Sequence, residues 1–275
     1  MLNSAPDRDT LIVAHRGFHR DHPENSIPAI IAAAELGAHI VEVDVHRTND
    51  GHFVLMHDWN VGRTTTGWGE MDEFSLAEIR ELRLVHGIRV TSERVPTVEE
   101  ALQAARGRII LNLDIKDGSI AEAAEIAGQL GLLDHCLFKL EWTPTARDIA
   151  AGMHERWPGI MIMPIVRSRA QLDAALGDTD RAVSAIELAV SPVDNPTALI
   201  TEAADRTEQR GGRLWCNALG DWSISGLGDY NTPSEGLRVY QRLRALGCSI
   251  IQTDLPELAL VALTGRENRE QRNGR

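Results

Sequence analysis

Aromatic side chains are scarce in this chain: six Trp, four Phe and two Tyr, 4% of 275 residues. Most of its 43% hydrophobic content is therefore Ile, Leu, Val and Ala, a composition suited to helices packed on buried strands. Basic charge is also short. Twenty-eight Lys and Arg face forty Asp and Glu, and the net charge of −12 repels nucleic acid and anionic membranes. No nucleic-acid partner and no stable membrane association are expected, and an anionic substrate has to be captured by local cations or a metal. Cysteine is limited to Cys136, Cys216 and Cys248, far apart and without CxxC spacing. That argues against a disulfide framework or a zinc site and for reduced, buried thiols. The opening MLNSAPDRDT lacks the apolar core of a secretory signal, and no run of about 18 apolar residues offers a membrane span. A soluble, cytoplasmic protein is the expectation. With no solenoid repeat and no low-complexity linker, the chain reads as one domain over 1–275, with a polar, frayed tail at about 264–275.

What is present is a set of short, β-branched apolar runs: LIVAH (11–15), IVEVDV (40–45), IILNLDI (109–115), CLFKLEW (136–142), IMIMPIV (160–166), SAIELAV (184–190), RLWCNAL (213–219) and SIIQTDL (249–255). Helical patterns with readable ends separate most of them. Ser26 can cap a helix that stops near Gly37, Thr97 with Glu100 forms a capping box, and Thr143 precedes Pro144 at a first helical position. Gly131, Gly211 and Gly247 stand where helices should end. Eight strands alternating with helices imply a parallel sheet, and at this length a (β/α)8 TIM barrel in the α/β class, with an open doubly wound sheet as the alternative. The stretch 59–95 is too long for a connecting loop. It carries a second capping box, Ser75 with Glu78, and reads as a small insertion after the second strand.

Barrel enzymes place working residues at the C-terminal ends of strands. Here the first strand ends in His15 and Arg16, and the second carries Glu42 and Asp44 on one side. A short extended piece delivers His57 and Asp58, and the third barrel strand carries Asp114 and Lys116 on one side. Three carboxylates converging at one mouth repel and raise one another's pKa values unless a cation joins them. Oxygen ligands suit a single hard divalent ion, Mg²⁺ or Ca²⁺. His15 and His57 would then share acid–base work, and Arg16 and Lys116 would balance the non-bridging oxygens of a phosphate. The other histidines, His46 among them, are assigned to loops or surfaces, with His19 and His22 as candidates for the entrance.

The ordered set AHRG, PENS, EVDVHRTNDG, VLMHD, RTTTG, LNLDIK, RLWCNAL and QTDLP resembles the glycerophosphodiester phosphodiesterase family across about 11–263. The resemblance implies a TIM barrel and metal-dependent cleavage of a phosphodiester. It implies His15 and His57 as the acid/base pair, Glu42, Asp44 and Asp114 as metal ligands, and Arg16 and Lys116 as phosphate contacts. It also implies Trp215 near the substrate headgroup and the 59–95 stretch as the insertion over the mouth. Two departures matter: Ser26 stands where the family usually has Thr, a conservative change because either caps a helix, and Asp114 stands where it usually has Glu. Asp-x-Lys at that place is also similar to the sphingomyelinase D relatives. Glu24 and Asn25 are assigned to bracing the loop and the metal's surroundings, and Arg63 to the insertion's own turn.

Further along, Lys139, Glu141 and Glu187 stand in the next strands. Lys139 could contact phosphate and Glu187 substrate hydroxyls, or the two could form a mutual ion pair. The expected substrate is a small anionic phosphodiester, by default a soluble glycerophosphodiester cleaved to an alcohol and a phosphomonoester. A sugar phosphodiester of the agrocinopine type and a lysophospholipid are the alternatives within the class. A non-catalytic metal- or phosphodiester-binding barrel is the alternative outside it, though no paired histidine or candidate ligand is missing.

Overall fold

The computed structural model describes residues 9–177, 184–189, 196–220 and 233–265. In chain order the elements are β1 (Leu11–His15), α1 (Ile27–Leu36), β2 (Ile40–Arg47), β3 (Phe53–Leu55), α2 (Leu76–Ile79), β4 (Val85–His86), β5 (Arg89–Val90), α3 (Val98–Ala105), β6 (Ile110–Ile115), α4 (Ile120–Gln129), β7 (Cys136–Glu141), α5 (Pro144–Arg156), β8 (Met161–Val166), α6 (Arg169–Gly177), β9 (Ala185–Leu188), α7 (Pro196–Gln209), β10 (Arg213–Asn217), α8 (Pro233–Ala245), β11 (Ile250–Thr253) and α9 (Pro256–Thr264). All eight apolar runs become strands, although Val190 of the sixth lies outside the described residues. The main sheet runs β1-β11-β10-β9-β8-β7-β6-β2-β3, and β1 also pairs with β2. The registered pairs β2–β6, β6–β7, β8–β9, β9–β10 and β10–β11 are parallel, which is the cyclic strand order of a (β/α)8 TIM barrel. The short β3 is a ninth strand, antiparallel to β2.

The chain divides into two compact units, described separately here. The first comprises Ala14–Phe138 with Gly159–Met161. Its helices begin as the side chains dictate. Ser26 accepts the Ala29 N–H at 3.2 Å to start α1, and Gly37, at φ 96°, ends it. Thr97 and Glu100 cap α3 reciprocally, and Ser75 and Glu78 do the same for α2. The insertion between β3 and α3 has its own apolar centre, in which Val54, Met56, Val61, Met71, Ile79, Leu84 and Val95 are buried together. It carries the two-stranded β4–β5 ribbon. Register is what positions the site: in the β2–β6 pair, Asp44 stands directly beside Asp114.

The second unit comprises the described residues of Met1–Val13, Lys139–Pro158 and Ile162–Arg275. Thr143 and Pro144 open α5 as anticipated. Helix α9 closes on Gly265 at φ 67°, and the remainder of the expected tail, 266–275, lies outside the described residues. One expectation is overturned in this unit. Cys216 on β10 and Cys248, just before β11, are joined as a disulfide, with Cα atoms 6.1 Å apart. Sequence spacing carried no sign of it, because adjacency of two strands and not a local motif brings the cysteines together. In the first unit Cys136 is a free, buried thiol, and burial pushes its pKa up to about 12.

Candidate active site

The first unit builds its site on the loop that follows β1. Arg16 (φ 54°) and Asn25 (φ 53°) are the non-glycine residues with left-handed backbone among those described, and they mark the two ends of that loop. Between them, Gly17 (φ 81°) passes so close to α1 that an added Cβ would lie 2.7 Å from the Ala29 Cβ. Only glycine fits there. The loop closes when the Asn25 N–H donates to the Arg16 carbonyl at 3.0 Å. Asn25 then fastens it to β2: its Nδ2 donates to Asp44 Oδ2 at 2.9 Å, and its Oδ1 accepts the Asp44 N–H at 3.0 Å.

Glu42 and Asp44, each 1% exposed, and Asp114 offer carboxylate oxygens within 4.8 Å of one another. Two cations reach into this cluster. Lys116 Nζ lies 3.0 Å from Asp44 Oδ1 and 2.7 Å from Asp114 Oδ2. Arg16 Nε lies 3.2 Å from Asp44 Oδ2, and the Arg16 N–H donates to Glu42 Oε2. Burial works against both positive charges, yet attraction from Asp44, joined by Glu24 at Arg16 and by Asp114 at Lys116, raises their pKa values. The three carboxylates outnumber the two cations that reach between them in a largely buried place, an excess that a divalent ion would relieve. The all-oxygen donor set fits a hard ion such as Mg²⁺ or Ca²⁺ and not zinc. His15, at the tip of β1, stands with Nε2 3.9 Å from Glu42 Oε2.

His57 follows β3 and bonds through Nδ1 to Asp58 Oδ1 at 2.6 Å. Its backbone carbonyl is held at 3.0 Å by Nε2 of His46. The expected place of His46, on a loop or the surface, does not hold. His46 is instead fully buried on β2, its ring edge-on to Trp59 at 4.7 Å between centroids, and burial lowers its pKa. Arg63 is likewise not confined to its own turn: it bonds to Asp58 and, across 39 residues of chain, to Glu24. Neither role has a local signal in the sequence. His19 and His22 lie half-buried in the loop after β1.

The second unit holds the remaining expected residues. Lys139 and Glu187 are both buried, with Nζ 3.6 Å from Oε2, so the ion-pair alternative is realised. Lys139 also sits 5.8 Å from the centre of the Trp215 ring. The buried Trp215 donates from Nε1 to Asn217 Oδ1 at 2.8 Å, and Asn217 donates to Glu187 Oε1 at 2.8 Å. Glu141 is outside this cluster and pairs with Arg167 at the surface.

Comparison with known proteins places the chain. A profile of the glycerophosphoryl diester phosphodiesterase family matches residues 15–134. The chain is 41% identical over 114 residues to a glycerophosphodiester phosphodiesterase of Caldanaerobacter subterraneus, covering 40% of this chain and 47% of that one. It is 39% identical over 109 residues to glycerophosphodiester phosphodiesterase 1 of Mus musculus, covering 38% and 33%. These alignments thus span between a third and about half of the relatives' own lengths. The fold is similar to a glycerophosphoryl diester phosphodiesterase of Parabacteroides distasonis, with TM-score 0.80 and 24% identity over 96% of this chain and 90% of that one. It is also similar to an Oleispira antarctica phosphodiesterase solved with the product sn-glycerol-3-phosphate, with TM-score 0.69 and 23% identity over 93% and 97%. The matched stretch contains the whole loop, carboxylate and His57 arrangement. Residues 15–134 are thus similar in sequence to the glycerophosphoryl diester phosphodiesterase family, and the chain shares the fold of the solved structures.

Proposed function

We propose that this chain is a metal-dependent phosphodiesterase that cleaves a small glycerophosphodiester to an alcohol and a phosphomonoester. One observation carries the reading. Glu42, Asp44 and Asp114 converge with Arg16 and Lys116 interleaved, a charge pattern that a divalent ion and a phosphodiester together would balance. Glu42, Asp44 and Asp114 would hold the ion, which when bound supplies a Lewis acid for a phosphoryl oxygen. Arg16 and Lys116 neutralise charge on the non-bridging oxygens. One of His15 and His57 accepts the proton of the attacking hydroxyl, from water or from the substrate itself, and the other protonates the departing alkoxide. In this reading His57 is the acid. Trp215 stays assigned to a substrate contact by the family resemblance, Lys139 and Glu187 by their place in the neighbouring strands, and one catalytic domain spans the chain.

A lysophospholipid is the second reading, favoured by apolar side chains held in water on the insertion: Trp68 is 82% exposed and Ile88 101%, with Val90 and Trp59 also exposed. The chain is assigned to the cytoplasm, and the Cys216–Cys248 pair supplies the test. Three free thiols trapped by rapid alkylation in cells fit a reducing compartment; one fits an oxidising compartment.

The activity test is ³¹P NMR with Mg²⁺ or Ca²⁺ and a panel of glycerol, choline-bearing, sugar and lysolipid phosphodiesters. Turnover that EDTA abolishes, and that His15→Ala and His57→Ala each lower by about 10²–10⁴-fold, is the expected result. A folded protein inert toward the whole panel with either ion rejects the reading.

A further inference from the structure

Arg63 spans two carboxylates with one guanidinium. Its Nε and Nη2 lie 2.5 and 3.1 Å from the Asp58 oxygens, and its Nη1 and Nη2 lie 2.7 and 2.8 Å from those of Glu24. Each carboxylate passes the contact inward. Asp58 Oδ1 takes the His57 Nδ1 bond, and Glu24 Oε1 accepts Arg16 Nη1 at 2.9 Å, with Arg16 Nε next to Asp44. We propose that Arg63 is a positioning residue that fixes His57 through Asp58 and Arg16 through Glu24, so that the insertion sets the geometry of proton transfer and phosphate binding together. This rests on the phosphodiesterase reading given above.

The argument is geometric first. Four bonds to two carboxylates need a planar fork with five donors; a lysine ammonium has three donors on one point charge. Without the guanidinium, Glu24 and Asp58 would be two neighbouring carboxylates with no shared cation, and each would turn toward water. The fork is itself mounted rigidly. Val61–Arg63 is a short 3-10 turn, capped where Asn60 Oδ1 accepts the Gly62 N–H at 2.9 Å and anchored by Val61 in the insertion's apolar centre. The Val61 N–H donates to the Gly69 carbonyl, and the Thr65 N–H to the Val61 carbonyl. At the other end, an ionised Asp58 makes Nδ1 the protonated nitrogen of neutral His57. Nε2 is then the atom that exchanges protons with substrate. Both carboxylates are kept ionised: burial pushes their pKa values up, but hydrogen bonds from Arg63, with His57 at Asp58 and Arg16 at Glu24 adding to the pull, bring each down to about 2.

The test uses the full chain and five variants: Arg63→Ala, Arg63→Lys, Asp58→Asn, His57→Gln for signal assignment and, as a control, Arg89→Ala on the exposed β5. Two readouts are taken: kcat and KM on the best substrate of the panel, and the ring ¹⁵N signals of His57 above pH 8, assigned by their loss in His57→Gln. We expect about a 10²-fold fall in kcat for Arg63→Ala with KM raised as well, no rescue by lysine, and a wild-type Arg89→Ala. His57 should carry its proton on Nδ1 in the wild type and shift toward the Nε2–H tautomer in Asp58→Asn and Arg63→Ala. Wild-type kcat and tautomer in Arg63→Ala overturn the proposal. If that variant does not fold, unchanged kcat and tautomer in Arg63→Lys overturn it equally. A wild type with no turnover but a tautomer that moves as stated rejects the phosphodiesterase reading and keeps the clamp.

Discussion

Asn25 and Asp44 grip each other twice, side chain to side chain at 2.9 Å and side chain to backbone at 3.0 Å, from positions 19 residues apart. The first bond aims one Asp44 oxygen and the second holds the strand beneath it, so this carboxylate is oriented before any ion arrives. Asn25 does so from a left-handed backbone that asparagine tolerates better than most residues.

Replacing Asn25 by alanine removes both bonds and places a Cβ residue without local hydrogen bonding in that backbone. The expected cost is about 2–4 kcal/mol, from two lost buried hydrogen bonds plus backbone strain. Urea unfolding measures it. Asn25→Gly should recover the strain portion alone, and a glycine variant no more stable than the alanine one would show that strain contributes nothing.

Ion binding has a readout independent of turnover. With Mg²⁺ or Ca²⁺ at about 100 times its dissociation constant, the folded state should gain about 2.7 kcal/mol, seen as a rise in Tm. Glu42→Gln and Asp114→Asn should each abolish most of that rise. A rise that survives in both variants places the ion elsewhere.

Acid sensitivity follows from Glu24. Its carboxyl, held near pKa 2 in the folded chain against an ordinary 4.5, contributes stability that is present above about pH 4.5. That contribution is lost as pH falls through about 2, below which Glu24 is protonated in both states. Thermal melts of wild type and Glu24→Gln should therefore differ most near pH 6 and converge toward pH 2.5. A gap of constant size across that range contradicts the assignment.

The cysteines give a counting test. Denatured without reductant, the chain should show one reactive thiol, Cys136, and three after reduction. Closing a loop across a separation of 32 residues stabilises by about 3–4 kcal/mol in the chain-entropy account, and Cys216→Ser should lose that amount. Three thiols without reductant would remove the bond.

The strands were readable because each is a short run of β-branched apolar residues, and the site residues because they interrupt those runs at one end. LNLDIK announces both β6 and its Asp114–Lys116 pair. The helix starts were readable for a local reason too, since a capping box spans only four residues. What escaped was non-local. Glu24 and Arg63 meet across 39 residues, and no period or spacing encodes that meeting. His46 looked like one more polar residue at a strand end, yet the fold buries it under Trp59 and spends it on the His57 carbonyl. Lys139 and Glu187 were ambiguous in sequence because ion pairing and ligand binding demand the same residue types; the pairing is resolved only in three dimensions.

Arg63 rides on a segment that a protein engineer would treat as interchangeable trim. Its anchorage in the short turn at Val61–Arg63 means that the segment cannot be traded for a longer, shorter or more greasy version without resetting the height of that guanidinium. Efforts to alter substrate preference by transplanting the 59–95 stretch from a relative should begin by matching the spacing from His57 to the transplanted arginine. Grafts that fold well but miss this spacing should come out as sound scaffolds with slow chemistry.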